Sequence, residues 1–443
     1  MKRPRRGDPP LCMICHDVLY RPVTLPCCGN NFNRGCIKRM VFPRKCPVCR
    51  VDIDSIPDIN RALRDLIQTV YPKEFNERAD IENLCSASKR GDQVSVVKYL
   101  NSGLDVGTVS QDGESILSLA CVGGHFGVVS TLLDAGANVH TCPCVASACY
   151  GGNIDVLKML LEKGADANRV DKDGFPPLQA TQDVSLLQTL LQHGVKTDAV
   201  NNIGRTALHN AVLEGNEDVL DLLMGKVPAG MRDICGKTAL HVYAQHGRRW
   251  CPNLVRRLVD AGCPIDGTDR HSRTALHLAT DSGQSISLVG DIIRCGGKVE
   301  VLDYKGRTPL HALSFFKCCE KCGKIRISMY ELLVNGGCNV NTITNDGETA
   351  LHTHLRSLAD IQFVSLLVSD GVDVNRRDKN GNTALHNAVL YENFSAIPAL
   401  LEGGAEPNIL NQDDMTPLDS VPEGCATYAQ LFEMGMRSRA TTN

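Results

Sequence analysis

One phrase limits what this chain can fold into. Thr-Ala/Pro-Leu-His appears at Thr206 to His209, Thr238 to His241, Thr274 to His277, Thr308 to His311, Thr349 to His352 and Thr383 to His386, usually with a glycine two positions before the threonine. A recurrence of about 33 residues marks a stacked array, in which each unit buries its apolar face only against its neighbours. The chain has 443 residues, too many for one core, and the phrase selects an array over several globular domains. Its chemistry is local. Glycine takes a turn position with positive φ, threonine caps the following helix, and leucine begins the buried stripe. A second helix follows, as at Ser395 to Leu401, before the glycine-rich turn Gly403-Gly404-Ala405.

Composition narrows the class of partner. Lys+Arg number 47 against Asp+Glu 50, a balance that gives no global attraction to nucleic acid or anionic lipid. No apolar run approaches a membrane span, and the basic start, Met1 to Arg6, lacks the apolar segment of a signal peptide, so a soluble chain is expected. That start reads as a solvated tail, with a nuclear-import patch as the alternative. Of 21 cysteines, those before Arg50 are clustered and the others are scattered singly, a usage suited to a reducing compartment, cytosol or nucleus.

The cluster has its own logic. Cys12-Met13-Ile14-Cys15 and Cys46-Pro47-Val48-Cys49 are Cys-x-x-Cys turns, and Cys27, Cys28 and Cys36 lie between them. Such turns present two sulfurs at the bite of a tetrahedral zinc ion, and metal binding would supply most of the folding free energy of so short a segment. Between Val51 and Arg78, Pro57 opens a helix in which Ala62, Leu63, Leu66, Ile67 and Val70 form an apolar stripe, until Pro72 ends it. The stripe would pack on a neighbouring domain or serve as a dimer seam.

The cysteine cluster resembles the RING fingers of ubiquitin ligases, in which two zinc ions cross-brace a small α+β domain. The resemblance assigns Cys12, Cys15 and Cys36 to the first zinc, and Cys46 and Cys49, with Cys27 and Cys28, to the second. Asn30 and Asn33 stand where the family phrase has ligands. The first site thus lacks an obvious fourth ligand, and weak metal binding, recruitment of His16 or water, and a metal-free, U-box-like site are all open. RING domains carry no nucleophile; they hold a charged ubiquitin-conjugating enzyme in position for transfer. The family's contact positions correspond to Ile14, Pro47 and Arg50, whose guanidinium would bridge carbonyls on two partners.

The repeated phrase resembles the ankyrin repeat, from about Asp80 to Met436. Gly136-Ala137-Asn138 and Gly164-Ala165-Asp166-Ala167-Asn168 match the family's hairpin entry. The resemblance implies a mainly α solenoid: a RING-type domain at 1–56, a linker helix at 57–79, about eleven repeats at 80–436 with atypical ends, and a tail at 437–443. The recurring histidines, once per repeat, are expected to bridge hydrogen bonds between neighbouring repeats, not to ligate metal or exchange protons. No Ser/His/Asp set, phosphate loop or paired-carboxylate motif accompanies them.

Three units depart from the pattern. Thr141 to Gly151 lacks the threonine phrase and carries Cys142, Cys144 and Cys149, where the array is expected to bend or be weakest. Trp250 beside Arg248 and Arg249 reads as a seam cover or a partner contact. Cys318, Cys319, Cys322 and Cys338 read as free thiols, with a metal site as the alternative.

Taken together, the residues and their resemblances imply a RING-type ubiquitin ligase that recruits a conjugating enzyme and holds a protein substrate on its repeats. The alternative is a non-catalytic adaptor with a degenerate zinc module. Nucleic acid and membrane are disfavoured as partners.

Overall fold

The threonine phrase builds the same junction each time it occurs. Thr274 caps the helix Ala275–Ser282, and its amide donates to Nδ1 of His277 at 3.1 Å. An imidazole nitrogen that accepts from an amide is unprotonated, so the ring proton sits on Nε2, where it donates to the Arg307 carbonyl of the next repeat at 2.9 Å. His209 reaches Lys237 in this way, His241 reaches Arg273, His311 reaches Glu348, His352 reaches Asn382 and His386 reaches Met415. All six rings are buried. The expectation that they bridge repeats holds.

The computed structural model describes the backbone at 22–24 and 31–33, the single positions 63 and 68, and residues 72–420 apart from 248–250, 284, 314–319 and 357–359. Two compact units result, Met1–Asn201 and Asn202–Asn443. Near the N-terminus of the first unit, Pro22–Thr24 and Asn31–Asn33 pair antiparallel, with Val23 opposite Phe32. Four helix pairs follow: Pro72–Arg90 with Gln93–Asn101, Ile116–Val122 with Phe126–Asp134, Cys144–Gly151 with Ile154–Glu162, and a 3-10 turn Pro177–Gln179 with Val184–Gln192. The first helices stack on one another, and Leu84, Ile116, Leu117, Val145 and Leu178 are buried among them.

The second unit repeats the plan six times among the described residues. Its pairs are Ala207–Glu214 with Glu217–Leu223, Ala239–His246 with Leu254–Asp260, Ala275–Ser282 with Ile286–Arg294, Pro309–Leu313 with Glu320–Asn335, Ala350–Leu355 with Ile361–Ser369, and Ala384–Leu390 with Phe394–Ala396 and Ile397–Glu402. A further junction begins at Thr416, where Asp419 stands in the histidine's place and accepts from the threonine amide at 2.9 Å. The array is therefore mainly helical and built of stacked repeats, as its sequence implied.

Pro72, expected to end a helix, opens the helix Pro72–Arg90, which runs across position 79/80, where the sequence placed the division between linker and repeats. A proline's fixed φ and missing N–H suit the first turn of a helix, and the same residue also stops a preceding one; the sequence alone does not separate the two. Leu63 is helical, while Ala62, Leu66, Ile67 and Val70 lie outside the described residues. The unit at Thr141 to Gly151, expected to bend or weaken, has an ordinary first helix with Cys144, Val145, Ala146, Ala148 and Cys149 buried.

Each repeat of the second unit begins in a hairpin whose turn is folded by one side chain. Asp303 accepts from the amides of Lys305 and Arg307, and Asp269 from those of His271 and Arg273. Successive tips then join through the backbone: Ile234 donates to the Ile203 carbonyl, Arg270 to Cys235, Tyr304 to His271, Asn345 to Lys305, and Lys379 to Asp346. Gly306 permits this contact. Its φ is +73°, and a Cβ there would stand 2.6 Å from the Asn345 amide nitrogen. Ser272 occupies the corresponding turn position with φ 57°, in the left-handed region that favours glycine.

Two outcomes follow from these junctions. Ser272→Gly is expected to raise stability by about 1 kcal/mol and Gly306→Ala to lower it by at least as much, read as opposite shifts of the melting temperature; a lower melting temperature for Ser272→Gly contradicts the strain assigned to it. Burial also holds all six bridging histidines below their ordinary pKa, His241 and His311 at about 4. The unfolded chain therefore binds protons first. Their stabilising contribution is complete above about pH 6.5 and drains away as pH falls toward the folded values. Calorimetry should show the second unit melting progressively earlier between pH 7 and 5, and a flat profile would contradict the neutral bridges.

Candidate functional site

The conspicuous chemistry of the repeats is consumed by stacking. The bridging imidazoles are inaccessible, and beneath the tips Arg205 pairs with Asp233 at 3.4 Å, Arg273 with Asp269 at 2.9 Å and Arg307 with Asp303 at 2.7 Å. Burial pushes the Asp303 carboxyl up, but hydrogen bonds from Arg307 outweigh it and hold the group below its ordinary range. A small cleft between two such pairs is lined by Arg273, His277, Asp281, Asp303 and Arg307. Asp281 in that cleft is pushed up by burial against the pull of the two arginines. Among the described residues no group of three or more His, Cys, Asp or Glu side chains could hold a metal ion.

What remains available is the row of hairpin tips in the second unit. Ile203 is 43% exposed, Ile234 50% and Tyr304 53%, high values for large apolar side chains on a polar turn. Arg270, His271 and Lys305 are exposed between and beside them. The His271 and Tyr304 rings lie 5.3 Å apart at a tilt of 46°, and the Lys305 Nζ lies 5.6 Å from the Tyr304 centroid. Sequence reasoning missed this row. The available signal was isoleucine and tyrosine immediately beside turn residues, where Asn, Asp, Gly and Lys are usual.

The residues singled out from the sequence fall elsewhere. Cys12, Cys15, Cys27, Cys28, Cys36, Cys46 and Cys49, with Ile14, Pro47 and Arg50, lie outside the described residues, as do Arg248, Arg249 and Trp250. The antiparallel pair 22–24 and 31–33 brackets the Cys27-Cys28 step. Of the second cysteine group, Cys318 and Cys319 and the side chain of Cys322 also lie outside, whereas Cys338 is a buried free thiol pushed up to about 12 by burial, then by Glu300. The remaining described cysteines likewise form no disulfide. Two of them meet in the first unit. Cys142 and Cys144 are buried together, the Cys144 thiol donating to the Val139 carbonyl at 3.3 Å.

Comparison with known proteins agrees with this architecture. The family model described as ankyrin repeats (3 copies) matches at 84–171, 145–230, 220–289 and 315–411. The mouse B-cell lymphoma 3 protein homolog is 30% identical over 203 residues, which cover 42% of this chain and 42% of that protein. RING finger protein PSH1 of Saccharomyces cerevisiae is 29% identical over 119 residues, 23% of this chain and 29% of that protein. The crystal structure of the Bcl-3 ankyrin repeat domain is 26% identical, with a TM-score of 0.42, covering 50% of this chain and 95% of that domain. The chain spans less than half the length of these curated relatives. No helix among the described residues is long and apolar enough to cross a membrane. By the extent of the family match, the chain belongs to the ankyrin-repeat proteins.

Proposed function

We propose that this chain is a protein-binding scaffold whose repeats hold a partner protein. One observation carries the reading: the polar chemistry of the second unit is spent inside the stack, while Ile203, Ile234 and Tyr304 stand exposed on backbone-locked tips. Apolar side chains presented on a rigid frame lose little entropy on binding and gain by leaving water. Free thiols throughout the described repeats suit a protein of the cytosol or nucleus. To test the reading, proteins captured by the full chain are compared with those captured by Leu276→Asp, which buries an unpaired carboxylate in the second unit. A discrete set lost on the variant is expected; identical sets on both overturn the proposal.

A second reading adds transfer to binding. Two Cys-x-x-Cys turns within the first fifty residues, and the similarity to a RING finger protein, support a RING-type ubiquitin ligase. Seven thiolates, Cys12, Cys15, Cys27, Cys28, Cys36, Cys46 and Cys49, form a donor set that suits zinc, with Asn33 leaving one place short of a sulfur or imidazole. Bound zinc would hold the segment folded. Ile14 and Pro47 would then meet the conjugating enzyme, and Arg50 would orient its ubiquitin. The full chain is expected to discharge ubiquitin from at least one charged conjugating enzyme, with Cys46→Ser and Arg50→Ala each abolishing discharge. Folded, zinc-loaded protein that discharges none leaves the scaffold as the whole function.

A further inference from the structure

We propose that the tips from Ile203 to Lys305 recognise an extended acidic segment of a partner protein that also carries aliphatic side chains. The proposal rests on the protein-binding reading and names the partner's chemistry. The strip has two parts in a fixed order. Ile203 and Ile234, joined by the Ile234 amide to the Ile203 carbonyl at 3.0 Å, present adjacent branched apolar side chains. Arg270, His271, Tyr304 and Lys305 follow, joined by the Tyr304 amide to the His271 carbonyl at 3.1 Å, and present two cations around a pair of rings.

The cations of the strip differ from the arginines beneath the tips. Arg205, Arg273 and Arg307 are each matched by an aspartate, and beyond the strip Lys379 pairs with Asp346 at 3.0 Å. Among the described residues neither Arg270 nor Lys305 has such a carboxylate. Lys305 lies instead over the Tyr304 ring. Two exposed cations without a counter-charge, on a chain otherwise balanced, are complementary to an anionic partner. The strip ends at the tip of Tyr304 and Lys305, since at the next tip but one Lys379 is already neutralised by Asp346. The occupant is therefore short, and spans four tips.

Two classes of anion meet this description, and the isoleucines decide between them. A nucleic-acid strand would use Tyr304 and the cations, but has nothing to set against Ile203 and Ile234, and two free cations are few for a phosphate backbone. A peptide in which acidic and aliphatic residues are interspersed matches both halves. Its chain would lie along the tips, with an aliphatic residue against the isoleucines and carboxylates toward Arg270 and Lys305.

The test uses random dodecamer peptides displayed on phage and selected on the full-length chain. Parallel selections use Arg270→Glu/Lys305→Glu and Ile203→Ser/Ile234→Ser, whose altered side chains are exposed; unchanged melting temperatures confirm that both fold. Peptides rich in Asp and Glu with Leu, Ile or Val are expected. The selected peptides, measured by fluorescence anisotropy, should bind each variant about tenfold more weakly or worse, and should weaken as salt rises. Peptides without acidic enrichment, or peptides that both variants retain, overturn the proposal while leaving the scaffold intact. A fluorescent single-stranded oligonucleotide is measured beside them. If it binds, loses affinity on both variants, and no acidic peptide does so, the strip belongs to nucleic acid.

Discussion

The second unit depends on a neutral imidazole held between two repeats. Each such ring must accept from a threonine amide on its own repeat and donate to a carbonyl on the next, and only the tautomer with its proton on Nε2 does both. A charged ring would lose its acceptor and sit unpaired in the core. This requirement places the other parts. The residue before the next threonine must turn its carbonyl inward, as Arg307 does toward His277. Asp303 must therefore fold its turn through the Lys305 and Arg307 amides. The following tip then comes so close to Gly306 that a Cβ has no room. Threonine, histidine, aspartate and glycine recur together because each satisfies a demand set by the others.

The first unit fills the same place by other means. The third residue after the cap is Ser118, Ala146 or Gln179 where the second unit has histidine. Gln179 supplies the donor half of the imidazole's task, its amide reaching the Ala199 carbonyl at 3.2 Å. Ser118 is too short for that reach. There the residue before the next cap, Cys142, turns its side chain inward and lies buried against Ser115 and Ser118, with Cys144 beside it. The cysteine-rich stretch that looked irregular in the sequence thus fills the place of an imidazole bridge with buried thiols, while the Ser118 hydroxyl finds no partner among the described residues. The apolar stacking of Val145 and Ala148 continues across it unchanged.

This contrast explains how much the sequence disclosed. The array, the role of the six histidines and the start of each first helix were legible because one short phrase encodes cap, bridge and buried stripe within four residues. The start of the helix Pro72–Arg90 was not, since proline at a first turn and proline after a last turn leave the same local record. The tips were missed for a different reason. Pattern reading finds what periodicity repeats, and a binding residue is by nature what the repeat does not fix. In the N-terminal segment the order was reversed: the Cys-x-x-Cys turns read as metal ligands from spacing alone, and the described pairing of 22–24 with 31–33 concerns only the backbone.

Stability and recognition are consequently carried by different atoms of the same turns. The tips are tied to one another by main-chain hydrogen bonds, and the aspartate that folds each turn is buried beneath them. Neither device asks anything of the side chain that follows the aspartate. Ile234, Arg270, Tyr304 and Lys379 all occupy that one position, after Asp233, Asp269, Asp303 and Asp378, with four different chemistries and one backbone geometry. A change of side chain there alters what the surface attracts without disturbing the imidazole bridge below, whereas a change at the glycine or histidine disturbs the stack before it touches a partner. An apolar residue at so exposed a position is only partly used by the fold. Ile234 and Tyr304 there, with Ile203 one position further on in its own turn, leave apolar surface open to a partner.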